Sequence, residues 1–219
     1  SKVADRKNII VACDSKKIAD ICKTHKINYL ITSRNCLTGT DRVYEVSKKI
    51  FAENYINVQG DEPLLTSKRV SGLAVFHLRS KFDVATMVRP MKGTIDRWKC
   101  PNSVKAIFIK QSNRCLYFSR APIPFKRSDK TSESLREKNE ENSPHWHLHI
   151  GVYSYKLEGL RSFHEMDCSY YEESEQLEQL RALEMGLEIG AIEVNDNFVG
   201  VDTPEDIQRV ERLIFDKET

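Results

Sequence analysis

The feature that most limits what this chain can fold into is a rhythm in its first ninety residues. Short apolar runs rich in β-branched residues alternate with stretches whose apolar positions recur at helical spacing. Lys7 to Cys13 (KNIIVAC) is the first run, and Asp14-Ser15 then opens a helical stretch through Ile18, Ile21 and Cys22. Asn28 to Thr32 (NYLIT) repeats the strand. Val43, Val46, Lys49 and Ile50 follow at helical spacing behind Thr40 as a candidate cap, and Tyr55 to Val58 is the next run. A helix with Val70, Leu73, Ala74 and Leu78 on one side and a strand at Asp83 to Val88 complete the series. Strands separated by helices are joined by crossovers, so this rhythm predicts an α/β fold with an open, mostly parallel sheet flanked by helices.

From Asn102 the pattern changes. Asn102 to Lys110, Cys115 to Phe118 and Leu148 to Lys156 read as strands with no long helix between them, which predicts antiparallel pairing in a smaller subregion at about 102–165 of a single 219-residue domain. Lys126 to Ser143, dense in Lys, Arg, Glu, Ser and Asn, reads as a solvated loop. Helix returns at Ser174 to Met185 and strand at Glu188 to Val194. The last helix begins at Thr203 as cap, with Pro204 at its first position and Asp206 completing the box.

Composition excludes several function classes. Thirty-four Lys plus Arg against 32 Asp plus Glu leave a net charge of +2, so no global field points to a nucleic-acid partner. No apolar run approaches the roughly 18 residues of a membrane span, and Ser1 to Lys7 lacks a signal peptide's apolar core. Six Cys without a C-x-x-C pair read as reduced, mostly buried residues in a reducing compartment.

Asn57 to Pro63 (NVQGDEP) sets a glycine and two carboxylates directly after a strand, at the carboxyl end where open α/β sheets keep their ligands. A plain turn accounts for the same letters, and the local pattern leaves both readings open. Gly200 to Asp206 (GVDTPED) is a second acidic loop which, taken alone, reads as helix-start chemistry. Asp61 and Asp202, delivered from separate loops to one sheet edge, would nevertheless suit Mg²⁺ with nucleotide phosphates. That ion takes one or two carboxylates and lets phosphate oxygens and water complete its octahedron.

His145, His147 and His149 alternate, so all three face one side of a strand. No Cys or carboxylate stands at ligand spacing, which favours polar lining over a metal site. Arg114, Arg120, Lys126 and Arg127 flank Tyr117, Phe118 and Phe125. Without a basic excess or an RNA-binding motif, an arginine set for a small anionic ligand is a stronger reading than base stacking. Glu175, Glu178 and Gln179 read as a solvated helix face.

Six collinear segments resemble those of the 3-deoxy-manno-octulosonate cytidylyltransferase family. They are GTDRVYEV (Gly39 to Val46), NVQGDEP, LYFSRAPIP (Leu116 to Pro124), HIGVYSY (His149 to Tyr155), LEQLRALEMG (Leu177 to Gly186) and GVDTPEDIQRV (Gly200 to Val210). The resemblance implies a nucleotide-diphospho-sugar transferase-like fold, a homodimer joined through the smaller subregion, a cytoplasmic location and a role in lipopolysaccharide biosynthesis. It implies transfer of CMP from CTP to the sugar acid Kdo with release of pyrophosphate, and Mg²⁺ as cofactor. By the same resemblance Asp61 and Asp202 match the magnesium carboxylates and Gln59 lies beside sugar and nucleotide. Arg120, His149, Tyr153, Glu178 and Gln179 match positions that hold the sugar acid, and Gly39, Thr40, Asp41 and Arg42 match a segment near the cytosine. A non-catalytic homologue, or a cytidylyltransferase for another sugar acid such as an amino-Kdo or a sialic-type acid, remains open at this point.

The family's loop of the type A-R-x-x-S-x-R-x-P-x-K, and the strand before it, have no counterpart in these residues. The first strand and main phosphate-binding loop are therefore expected to be missing from the sequence shown. With Lys2, Arg6 and Lys7 as poor substitutes, weak CTP binding is the expectation for a chain starting at Ser1.

Overall fold

The computed structural model describes residues 4–93, 95–125, 127, 145–195, 201 and 204–215. Two compact units divide the chain, the first formed by residues 1–80, 152–167 and 198–219 and the second by 81–151 and 168–197. Asp202, Thr203 and, apart from Arg127, the segment from Lys126 to Ser143 lie outside the described residues.

In the first unit, β1 (Val11–Cys13) and β2 (Tyr29–Ile31) pair in parallel across α1 (Lys16–Thr24), which buries Ala19 and Cys22. Helix α2 (Gly39–Ser47) starts two residues earlier than a cap at Thr40 would place it. Its cap is Thr38, not Thr40. The Thr38 hydroxyl accepts from the Asp41 N–H, and the Asp41 carboxylate accepts from the Thr38 N–H at 3.0 Å. Thr40 is instead buried inside the first turn, with its hydroxyl 2.9 Å from that of Tyr155. Strand β3 (Asn54–Val58) pairs antiparallel with the second half of β7 (His145–Lys156), in the register Asn57↔Tyr153 and Val58↔Val152. Helix α3 (Ser67–Arg79) is fixed here through His77, whose Nδ1 lies 2.8 Å from the Ser154 hydroxyl and 3.3 Å from the Asn54 amide. Helix α5 (Leu157–Glu165) runs straight on from β7, and α8 (Pro204–Phe215) closes the unit.

The second unit is centred on β4 (Val84–Lys92), whose Val84, Ala85, Thr86, Met87 and Val88 are all buried. It pairs in parallel with β8 (Ile189–Glu193), and burial on both faces explains the unbroken run of apolar and small residues. Strand β6 (Arg114–Ser119) runs antiparallel to β8 and to β5 (Lys105–Ile109), and β5 also pairs antiparallel with the first half of β7. Short α4 (Ile95–Lys99), α6 (Tyr170–Glu175) and α7 (Gln179–Glu184) complete the unit.

Two further sequence expectations are corrected. The sheets are mixed rather than mostly parallel: among the described ladders, β1–β2 and β4–β8 are parallel and the other four are antiparallel. The antiparallel pairing of β5 with β6 and β7 is as expected from the residues after Asn102, and the turn at Lys110 to Asn113, with Asn113 at φ 54°, returns the chain directly. The departures are β3, which runs antiparallel to β7, and β8, which runs antiparallel to β6. The helix expected over Ser174 to Met185 is two helices, because Gln176 adopts a left-handed conformation at φ 50° and ends α6. All six cysteines are free, with Cys13, Cys22 and Cys115 buried. Among the described residues, no helix is long and apolar enough to cross a membrane.

Candidate active site

In the first unit the predicted residues collect around the carboxyl end of β3. The strand hands over to a turn in which the Glu62 N–H donates to the Gln59 carbonyl at 3.3 Å, leaving Gly60 exposed. The Oδ1 atom of Asp61 is fully shielded and has no hydrogen-bond partner among the described residues. A buried carboxylate oxygen without a donor is unfavourable unless a cation meets it, so this atom fits a divalent ion that takes oxygen ligands. The Asp61 carbonyl accepts the Val201 N–H at 2.8 Å, which ties this loop to the residue just ahead of Asp202. Across the ladder from Asn57, Tyr153 is buried and its ring stacks on Tyr155 with centroids 5.8 Å apart.

The start of α2 abuts the same strand. A Cβ added to Gly39 would stand 3.0 Å from the Asn57 amide nitrogen, so glycine is what allows the close approach. The next three side chains are committed to the unit itself. Thr40 holds Tyr155. Asp41 holds the Thr38 cap and takes a hydrogen bond at 3.0 Å from His164, whose ring stacks on Tyr44. Arg42 forms a 2.7 Å ion pair with Asp14 and donates to Thr32 at 2.9 Å. Burial alone would raise the Asp41 pKa, but the bonds from His164 and Thr38 outweigh it and hold the carboxyl below its usual range. The hydrogen bond from Arg42 lowers that of Asp14 in the same sense.

In the second unit the centre is Arg120. Its guanidinium donates to three main-chain carbonyls: Nε to Glu175 at 2.6 Å, Nη1 to Pro101 at 3.0 Å and Nη2 to Gln176 at 3.3 Å. Guanidinium carries five N–H groups, so among the described residues one is left on each terminal nitrogen. The Glu175 carboxylate accepts from the Ser119 hydroxyl at 2.9 Å, the Tyr117 hydroxyl at 3.3 Å and the Arg120 main-chain N–H at 2.5 Å. Glu178 caps α7 and Gln179, buried, is its first residue, so both follow directly on the segment that Arg120 grips.

His149 lies on β7, with Nε2 3.0 Å from the Thr86 hydroxyl and its ring edge-on to Phe118 at 4.9 Å. Burial pushes its pKa down to about 3, so the imidazole is neutral near pH 7. Its two alternating neighbours do not join it in a metal site. His145 is exposed, His147 lies 3.9 Å from Glu193, and among the described residues no group of three or more His, Cys, Asp or Glu is arranged to hold an ion.

Sequence reasoning missed two residues here. Glu175, read as part of a solvated face, is a carboxylate with donors from β6. Lys105 is wholly buried in the second unit, and its only signal was a lysine heading the apolar run KAIFI.

A family model described as cytidylyltransferase matches residues 1–189. A 3-deoxy-manno-octulosonate cytidylyltransferase from Acidobacterium capsulatum is 34% identical over 211 residues, which is 96% of this chain and 80% of that protein. Another, from Polynucleobacter necessarius subsp. necessarius, is 37% identical over 213 residues, 94% of this chain and 79% of the relative. Among solved structures, CMP:2-keto-3-deoxy-manno-octonic acid synthetase complexed with CTP matches with a TM-score of 0.81 at 29% identity, covering 95% of this chain and 80% of the other. HddC from Yersinia pseudotuberculosis, with a TM-score of 0.61 at 12% identity, shares the fold.

Proposed function

The chain belongs to the cytidylyltransferase family, and on that premise we propose that it transfers CMP from CTP to the sugar acid Kdo, giving CMP-Kdo and pyrophosphate. The anomeric hydroxyl of Kdo attacks the α-phosphorus, a new phosphorus–oxygen bond forms, and the bond to pyrophosphate breaks. Relatives of this chain carry the name 3-deoxy-manno-octulosonate cytidylyltransferase across most of their length. The observation that carries the reading is the shielded, unpartnered oxygen of Asp61 in a loop bonded to the residue before Asp202.

Asp61 and Asp202 are the residues that would hold Mg²⁺, which when bound offsets phosphate charge and orients the reacting groups. Arg120 has two N–H groups left, the number that a bidentate carboxylate takes up, and so suits the acid group of Kdo. Being neutral, His149 serves the sugar as a hydrogen-bonding group and not as a charge. Tyr153, Glu178, Gln179 and Gln59 supply further partners for hydroxyls. The Gly39–Arg42 segment, held by its internal bonds, forms a fixed wall near the nucleoside. Nucleotidyl transfer asks for alignment and charge stabilisation, so the reaction needs no enzyme-linked intermediate.

We place the enzyme in the cytoplasm as a homodimer. The contact surface is on the second unit, where Leu116, Tyr170 and Tyr171 are 49%, 75% and 51% exposed. Incubation with CTP, Kdo and Mg²⁺, followed by chromatography for CMP-Kdo and an assay for pyrophosphate, tests the activity. Absence of both products at micromolar enzyme would refute it.

A further inference from the structure

Lys105 opens β5 and is wholly shielded from solvent. Its ammonium carries three N–H donors and no acceptor. It meets three main-chain carbonyls: Cys100 at 3.0 Å, Ser103 at 2.6 Å and Arg120 in a short contact. No carboxylate is bonded to this Nζ among the described residues. Burial lowers the pKa of the group, as expected for a cation taken out of water, yet the three carbonyls use every donor the charged form has.

The placement of those carbonyls matters more than their number. Two belong to the loop between α4 and β5, and Arg120 grips that same loop through Pro101. The third is the carbonyl of Arg120 itself. The two cations therefore clasp one loop from two directions, and one cation holds the other's main chain. Arg120 then reaches the α6–α7 junction through Glu175 and Gln176, next to Glu178 and Gln179. Rotation or sliding of the Arg120 backbone would change where its two remaining N–H groups point.

We propose that Lys105 is a positioning residue for the sugar-acid site. Its buried ammonium fixes the main chain of Arg120 and of the 100–103 loop, so that the guanidinium presents its two remaining donors to the carboxylate of the acceptor sugar. Lys105 touches no substrate. The inference rests on the Kdo-transfer reading, and turnover of the wild-type protein with CTP and Kdo tests that reading by itself.

The test compares Lys105→Met, which keeps the stem and removes the charge, with Lys105→Gln, which keeps a shorter donor. Thermal melting establishes which variants fold, and initial rates give KM for Kdo and for CTP separately. A misplacement of about 1 Å costs on the order of 100-fold in a positioned reaction. The expected result for Lys105→Met is a rise of at least about tenfold in KM for Kdo, the scale of one misdirected hydrogen bond to a charged group, with KM for CTP within about twofold of wild type. Lys105→Gln should fall between Met and wild type. If Lys105→Met does not fold, Lys105→Gln decides by the same criterion. Equal changes in both KM values, no change in a folded variant, or failure of both variants to fold would each overturn the proposal.

Discussion

Arg181→Met should destabilise the protein by an amount that the geometry sets. Arg181 and Glu172 are each 5% exposed, and they meet through two bonds, Nε to Oε2 at 2.5 Å and Nη2 to Oε1 at 2.6 Å. Methionine preserves much of the apolar stem and removes the charge. The Glu172 carboxylate then stays buried with the Ser169 N–H at 3.3 Å and nothing of opposite charge bonded to it among the described residues. Breaking a buried pair from one side costs about 3–5 kcal/mol. For a chain of 219 residues each kcal/mol moves the melting temperature by about 2–4 °C, so the drop should be roughly 6–20 °C. Removing both charges in Glu172→Gln/Arg181→Met should recover most of that loss, because the intact pair repays little beyond its own desolvation. Differential scanning calorimetry of wild type, both single variants and the double variant closes the cycle. A single-variant drop under about 2 °C, or a double variant as unstable as Arg181→Met, would refute the assignment of the cost to an uncompensated buried charge.

Three further outcomes are expected. Asp61→Asn should lower turnover by about 100-fold or more and abolish any rise in melting temperature that Mg²⁺ gives the wild type, while the metal-free protein melts no lower than wild type; unchanged turnover would remove Asp61 from the reaction. His149 titrates at about 3 in the fold because of its burial and at about 6.5 when unfolded. Above the unfolded value both states are neutral. As pH falls through that window the unfolded chain takes up a proton that the fold refuses, so stability is lost at about 1.4 kcal/mol per pH unit. Urea midpoints against pH should show a shallower acid limb in His149→Gln, and an identical limb would count against the burial argument. Gly190→Ala would drive a Cβ into the Phe82 ring and should cost about 1–3 kcal/mol as overpacking, with a neutral melting shift as the contrary result.

How far the residues disclosed this fold depends on the range of the forces involved. The β-branched runs at β1, β2 and β3 were legible because strand propensity and length are local. Strand direction was not, since β3 and β7 find each other across almost a hundred positions and nothing in NYINV says which way its partner runs. Helix α5 left no start signal, because its cap position is Lys156, whose side chain makes no capping bond, and it continues a strand without a breaker. The break at Gln176 was hidden for a related reason: the left-handed position is filled by neither Gly nor Asn. Asp61 could be found by its place at a strand end. The commitments of Asp41, Arg42 and Glu175 to protein partners could not be read, because each depends on a side chain or loop brought up by the tertiary fold.

The clasp made by Lys105 and the Arg120 guanidinium has a consequence for how such a chain can change over generations. Every acceptor in it is a main-chain carbonyl, contributed at positions 100, 101, 103, 120, 175 and 176. Every residue type offers that same oxygen. Side chains at 100, 101 and 103 can therefore drift among many alternatives without erasing the hold, provided the path of the chain survives, while position 176 admits only residues that accept its left-handed backbone. An inserted or deleted residue in the same loop would shift the carbonyls out of reach at once. The clasp tolerates spelling changes and forbids changes of length.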